Sequence, residues 1–385
     1  LHDALSIYYV FFGAGHNVNM AWLDDHNMWA KGRMYPADKK LTLQECKMIL
    51  EGKKTIGIWG DVIPGNSERS KFEDMNVDKN MTMEDVFFKY PGVWDKDSDE
   101  IGDLRGNDFL AWHDDIFDGY GEETYTDKPI LIPYLVEGSD RCVILCPGGA
   151  YLNKSMDSEG EEVALELNKA GISAFVLWYR SHPYRAPYMF LDGQRAVRYV
   201  RYHADEFGID PGKICIAGFS AGGNLAGVEA LICRDEPVGE EGYVPDEIDA
   251  VSGAPDAVGL IYPAISLTDD KAIAIVAGVD IWNDHEKRAE FGAKYDMITH
   301  VQDGDAPAFL CACMDDDVLP PLRLAELAKA YDDHGVQTEL HIFPYGGHGF
   351  GACVPHVKGP FPPADYSACN QWLGLFSNWI NRVFK

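Results

Sequence analysis

The sequence contains no apolar run approaching the ~20 residues that a helix needs to cross a bilayer, so no membrane partner is expected. It has no C-x-x-C pair, which favours reduced thiols. It has no long low-complexity stretch that would read as a flexible linker. Basic residues are scarce beside acidic ones: 33 Lys+Arg face 62 Asp+Glu, for a formal charge of -29. Nucleic acids and anionic membranes are polyanions and would be repelled, so neither is expected as a partner. The acidity reads instead as a solvated surface.

The 385 residues include 46% hydrophobic side chains, enough for a sizeable core. The nine cysteines are odd in number, and Cys142, Cys146, Cys215, Cys311 and Cys313 fall in apolar runs that read as buried strands. There a free thiol behaves as a small hydrophobe. This favours reduced thiols and a cytoplasmic setting, with secretion as the alternative if a leader precedes Leu1.

The chain changes character around residues 105–140. Residues 1–120 mix acidic and aromatic residues without a clear period and read as an N-terminal extension. Thr42-Leu-Gln-Glu45 fits a capping box at a helix start, and Thr82-Met-Glu-Asp85 is a weaker relative. Trp22, Trp29, Tyr35, Trp59 and Trp94 carry large apolar areas, which predicts that the extension packs on the rest of the chain. Asp24-Asp-His26 and His113-Asp-Asp115 contain ligand-type residues without a recognised metal spacing, so no metal and no cofactor are expected.

Residues 121–385 alternate apolar strands with amphipathic helices, the pattern of a mostly parallel sheet with helices on both faces. Strands are predicted at 130–136, 142–146, 173–179, 213–217, 257–263, 308–313 and 338–343. Helices are predicted at 159–170, 191–207, 224–233, 321–334 and 368–383. Between Tyr262 and Ala306 no clean strand appears, and this insertion is placed as a lid or wall over the site.

Gly218-Phe-Ser-Ala-Gly222 is a G-x-S-x-G motif lying between a strand and a helix. Its serine must occupy a sharp strand-to-helix turn, where side chains at Gly218 and Gly222 would collide with nearby backbone. Ser220 is therefore the candidate nucleophile. A serine hydroxyl needs a base, and the base needs an orienting acid. In this order of elements the acid follows the serine and the histidine comes last. His348 fits, in Gly346-Gly-His-Gly-Phe350 after the final strand. Asp315, Asp316 and Asp317 all follow the 308–313 strand and are the candidate acids. The oxyanion hole needs backbone N–H groups. One is that of Ala221, after the nucleophile, and the rest belong to the glycine loop Pro147-Gly-Gly-Ala-Tyr151.

The blocks CPGGAY, SEGEEVALELNKAGISAFVLWYR, DGQRAVRYVRYHADEFGIDPGKICIAGFSAGGNLAG, DDDVLP and GGHGFG occur in order. Over about residues 120–385 they resemble the carbohydrate-esterase and feruloyl-esterase-like branch of the α/β hydrolases, which includes acetyl xylan esterase-like enzymes. The resemblance implies the α/β-hydrolase fold and a metal-independent carboxylic ester hydrolase for short acyl groups, often acetyl groups on sugars. It places the acid at Asp315, before x-x-V-x-P, and the oxyanion loop at Gly149 and Ala150. Two departures separate the chain from hormone-sensitive-lipase-like relatives: PGGA replaces their HGGG, and Phe219 replaces the aspartate of their GDSAGG.

A small-molecule or carbohydrate ester is thus the expected substrate, and the oligomeric state is left open. Tyr151, Trp178, Tyr184, Tyr188 and Trp282 are candidate flat faces for a sugar ring. Feruloyl or aryl esters and lipase-like substrates are alternatives. A peptidase is disfavoured because residues 1–120 are too few for a β-propeller, and a non-catalytic binder because the triad is intact.

Overall fold

The computed structural model describes residues 54–65, 122–123, 128–151, 154–181, 184–239, 242–267, 272–353 and 365–385. Its centre is an eight-stranded sheet. In chain order the strands are β1 (Ile56–Gly57), β2 (Glu122–Glu123), β3 (Ile130–Tyr134), β4 (Cys142–Cys146), β5 (Lys154–Ser155), β6 (Ser173–Trp178), β7 (Ile214–Phe219), β8 (Ala257–Ile261), β9 (Ala308–Cys313) and β10 (Thr338–Phe343). The sheet order is β1-β3-β6-β4-β7-β8-β9-β10, and β2 pairs separately with β5. From β6 through β10 all neighbours run parallel, while β3 is antiparallel to β6 and β1 to β3. This is the α/β-hydrolase fold expected from the sequence.

Burial explains why the central strands read as unbroken apolar runs. Every residue of β4, β6, β7, β8 and β9 is buried, because helices cover both faces. The edge strand β10 is largely half-exposed and accordingly mixes polar and apolar residues. The C-terminal helix Trp372–Val383 buries Trp372, Leu373, Phe376, Trp379 and Ile380 on one face. Phe376 and Trp379 pack on Phe309 of β9, with ring centroids 5.1 and 5.7 Å away.

The 120/121 boundary does not separate residues 54–65 from the sheet. β1 adds to its edge, and Trp59 Nε1 donates to Asp192 Oδ1 at 2.8 Å. Asp192 lies in the Tyr188–Tyr202 helix and forms a fully buried ion pair with Arg180, whose guanidinium also donates to the Pro64 carbonyl. The Arg195 guanidinium stacks 4.9 Å over the Trp59 ring. The two capping segments, Trp22, Trp29, Tyr35, Trp94 and both acidic–histidine clusters lie outside the described residues.

The insertion after β8 carries the helices Ala272–Val276, Val279–Trp282 and His285–Lys294, then a short 3-10 turn at Met297–His300. Tyr295 packs against Phe190 with ring centroids 4.9 Å apart, and Ala186 N donates to the Val276 carbonyl at 2.7 Å. Among the described residues no helix is long and apolar enough to cross a membrane.

Candidate active site

β7 ends at Phe219, and the helix Ser220–Val228 starts at the next residue. Ser220 itself takes φ +51°, a strained conformation for a residue with a side chain. The flanking glycines are required by space. A Cβ on Gly218 would lie 2.0 Å from the Gly222 carbonyl oxygen, and one on Gly222 would lie 2.0 Å from that of Cys146. The turn thereby holds the serine hydroxyl at the carboxyl end of the parallel strands.

His348 Nε2 lies 2.9 Å from Ser220 Oγ. Its Nδ1 lies 2.8 Å from Asp316 Oδ2. An ionised carboxylate only accepts hydrogen bonds, so Nδ1 carries the proton and Nε2 is left to accept from the serine. The other oxygen of Asp316 accepts from the N–H groups of Val318 and Leu319, each at 2.9 Å. Both partners of this histidine–carboxylate pair are nearly buried.

Asp315 is therefore not the histidine's partner, and the expectation shifts by one residue. The reason lies in the turn after β9. Asp316 N donates to the Cys313 carbonyl, and the tight reversal turns Asp316 inward while Asp315 and Asp317 stay exposed. Asp315 serves the same loop differently. Its carboxylate accepts from Gly347 N at 2.8 Å and Gly346 N at 3.3 Å. One aspartate grips the imidazole, and its neighbour grips the backbone just before it.

The Pro147–Tyr151 loop lies against the nucleophile. A Cβ on Gly148 would come within 2.9 Å of the Ser220 Cβ. Gly149, Ala150 and Tyr151 all have positive φ, at 135°, 50° and 61°. Gly148 is buried, with its N–H donated to Glu159 at 2.5 Å, while Gly149 and Ala150 are partly exposed. Ala221 occupies the second position of the helix that opens with Ser220. Gly149 and Ala150 follow Gly148 on this loop, and Ala221 follows the nucleophile at the helix start, the two places expected to supply oxyanion donors.

Four of the five aromatic residues expected at the mouth are instead interior. Tyr151, Trp178, Tyr184 and Trp282 are buried, and only Tyr188 is half-buried. Tyr151 is held by its hydroxyl, which donates to Asn224 Oδ1 at 2.7 Å. Apolar area won over display here, as it does for most large rings. Among the described residues no cluster of three or more His, Cys, Asp or Glu side chains is arranged to hold a metal ion.

The sheet order, the strained serine and its hydrogen-bonded histidine and aspartate define an α/β-hydrolase-fold protein with a nucleophile elbow. A model of the BD-FAE family, an α/β-hydrolase esterase family, matches residues 129–331, over half of the chain, and the chain belongs to that family. It is 30% identical over 257 residues to endo-1,4-beta-xylanase B of Butyrivibrio fibrisolvens, covering 64% of this chain and 38% of that protein. It is 28% identical over 230 residues to an acetylxylan esterase of Xylanibacter ruminicola, covering 58% and 44%. The chain thus spans less than half the length of these two curated relatives. Among solved structures, an acetyl ester-xyloside bifunctional hydrolase from Caldicellulosiruptor lactoaceticus is 34% identical, with TM-score 0.54, covering 66% of this chain and 88% of that one.

Proposed function

We propose that this protein is a serine carboxylic ester hydrolase for short acyl groups, with acetyl esters of carbohydrates as its substrates. The observation that carries the reading is the continuous hydrogen-bonded array Ser220–His348–Asp316 at a strained elbow. The names of the acetylxylan esterase and the acetyl ester-xyloside hydrolase support the substrate class.

Ser220 Oγ attacks the ester carbonyl carbon while His348 Nε2 takes its proton. The carbonyl oxygen becomes an oxyanion, met by N–H groups of Gly149, Ala150 and Ala221. The tetrahedral intermediate collapses, and the alcohol leaves with the proton from His348. Water then attacks the acyl-enzyme, again giving its proton to His348, and the carboxylic acid departs as Ser220 recovers its hydrogen. Asp316 keeps the imidazole in the productive tautomer and stabilises the imidazolium that forms.

Acyl length tests the reading, since each methylene in a snug pocket is worth only about 1–3 kcal/mol. Turnover of nitrophenyl esters should fall from acetate through butyrate to octanoate, and acetate should be released from acetylated xylan. A preference for octanoate would overturn the short-acyl assignment.

A further inference from the structure

Glu159 is a buried carboxylate that the triad does not use. It lies in a π-helical turn, Asp157–Glu161, just before the helix Glu162–Lys169. Such widened turns recur at functional sites because they redirect a side chain that a regular helix would point elsewhere. Each carboxylate oxygen has a partner. Oε2 accepts from Gly148 N at 2.5 Å, and Oε1 accepts from the Tyr262 hydroxyl at 2.8 Å.

Tyr262 is buried at the end of β8, where it takes φ +37°. Its hydroxyl oxygen accepts from Gly351 N at 3.0 Å, and its ring meets the His348 imidazole edge-on at 4.9 Å. Phe350 also packs edge-on against the tyrosine ring, at 4.5 Å. The same stretch of backbone also docks on the π-helical turn: Ala352 N donates to the Ser158 carbonyl at 3.0 Å. Trp372 Nε1 donates to the Gly351 carbonyl at 2.9 Å.

A single buried chain of hydrogen bonds therefore runs from Gly148, in the loop beside the oxyanion position, through Glu159 and Tyr262 to Gly351, three residues after His348. We propose that Glu159 and Tyr262 are a pair of positioning residues that fix the oxyanion loop and the histidine loop relative to each other, so that the donor side and the base side of the site meet the ester in register. This rests on the ester-hydrolase reading above and assigns two residues to it.

The electrostatics are consistent with that role. Burial pushes the Glu159 carboxyl above its ordinary range, while Tyr262, the Gly148 N–H and nearby His348 favour its ionised form. An acceptor-only carboxylate serves two donors at once. Neither a hydrophobe nor an amide does so. In Glu159→Gln the side chain would retain one acceptor oxygen and present an NH₂ group to a tyrosine that needs to donate.

The test uses the full chain with Glu159→Gln, Tyr262→Phe and the double variant. Tyr262→Phe keeps the ring packing on His348 and removes only the oxygen, so it carries the test even if Glu159→Gln folds poorly; thermal unfolding is recorded for each. Misplacement of reacting groups by a fraction of an ångström to 1 Å costs on the order of 100-fold in rate. On nitrophenyl acetate, each single variant should lower kcat by about 10- to 100-fold with KM within about threefold, since substrate contacts are untouched. The double variant should be little worse than the poorer single one, because both break one chain.

The rate at which a fluorophosphonate labels Ser220 should fall in parallel with kcat, and this readout does not depend on which ester is turned over. Wild-type labelling without ester turnover would count against the ester reading alone. Labelling and kcat within twofold of wild type in Tyr262→Phe, a rise in KM with kcat unchanged, or fully multiplicative losses in the double variant would each overturn the positioning role.

Discussion

Asp316 Oδ2 lies 2.8 Å from His348 Nδ1, whereas the adjacent Asp315 holds the Gly346 and Gly347 N–H groups of the same loop. Two consecutive carboxylates thus act on one loop in different ways. Asp316→Asn leaves the packing but offers an amide that favours the wrong imidazole tautomer. By analogy with the serine-protease template, kcat on nitrophenyl acetate should fall by about four orders of magnitude. Asp315→Asn keeps one acceptor oxygen for the loop backbone and should cost about tenfold or less, a figure set by modest misplacement of the base. Steady-state kinetics of the two variants decide between them, and the reverse ranking would restore Asp315 as the acid.

Ser220→Ala should abolish ester hydrolysis and fluorophosphonate labelling without loss of fold, since losing a triad nucleophile costs several orders of magnitude in turnover. The backbone adds a second expectation. Ser220 has φ +51°, where glycine is at ease and alanine is not. Ser220→Gly should be equally inactive yet more stable than Ser220→Ala by about 1 kcal/mol. Denaturant unfolding of the two inactive variants measures this, and equal midpoints would argue that the elbow is unstrained.

The central strands β4, β6, β7, β8 and β9 were legible because each is buried on both faces: CVILC and AFLCAC announce themselves as apolar runs and appear at the expected positions. Ser220 and His348 were legible because glycine patterns mark the turns that present them. The acid was blurred because three aspartates stand in a row, and only the turn from Cys313 to Asp316 decides which faces inward. Pro320 offers a partial signal: without an N–H it denies Asp317 the donor three residues on that Asp316 finds at Leu319. Glu159 and Tyr262 left no local mark at all, since they are 103 residues apart and meet only through the fold. The aromatic residues expected at the mouth were misplaced because composition does not tell a buried ring from a displayed one.

The clamp on residues 54–65 predicts a stability effect far from the serine. Asp192 accepts from Trp59, from Arg180 N and from the Arg180 guanidinium, and the ion pair is fully buried. Removing the charge breaks this buried ion pair, which typically costs about 3–5 kcal/mol. Asp192→Asn should therefore unfold at markedly lower denaturant, and limited proteolysis should cut near Trp59 before the rest of the described domain. A variant that unfolds with the wild-type midpoint would show that the segment 54–65 is held by other contacts.

Glu229 offers a pH-dependent counterpart. It is fully buried in the π-helical turn after the nucleophile helix, and neither carboxylate oxygen has a hydrogen-bond partner among the described residues. Burial raises its affinity for a proton strongly, against the opposing pull of Arg201, Arg234 and Arg198. The folded chain therefore keeps this proton over a range in which the unfolded chain has lost it. With the folded value raised, the stabilising contribution is complete below the ordinary glutamate value of 4.5 and is lost progressively as pH rises above it. Within that window the loss amounts to about 1.4 kcal/mol per pH unit. Glu229→Gln is neutral at every pH and has no such slope. Its midpoint relative to wild type should rise between pH 5 and pH 8, whatever the absolute offset from an unpaired amide. Chemical denaturation at the two pH values measures the difference between the variants, which cancels the titration of every other group. A gap that stays constant, or narrows at high pH, would mean that Glu229 is ionised and solvated in the folded protein.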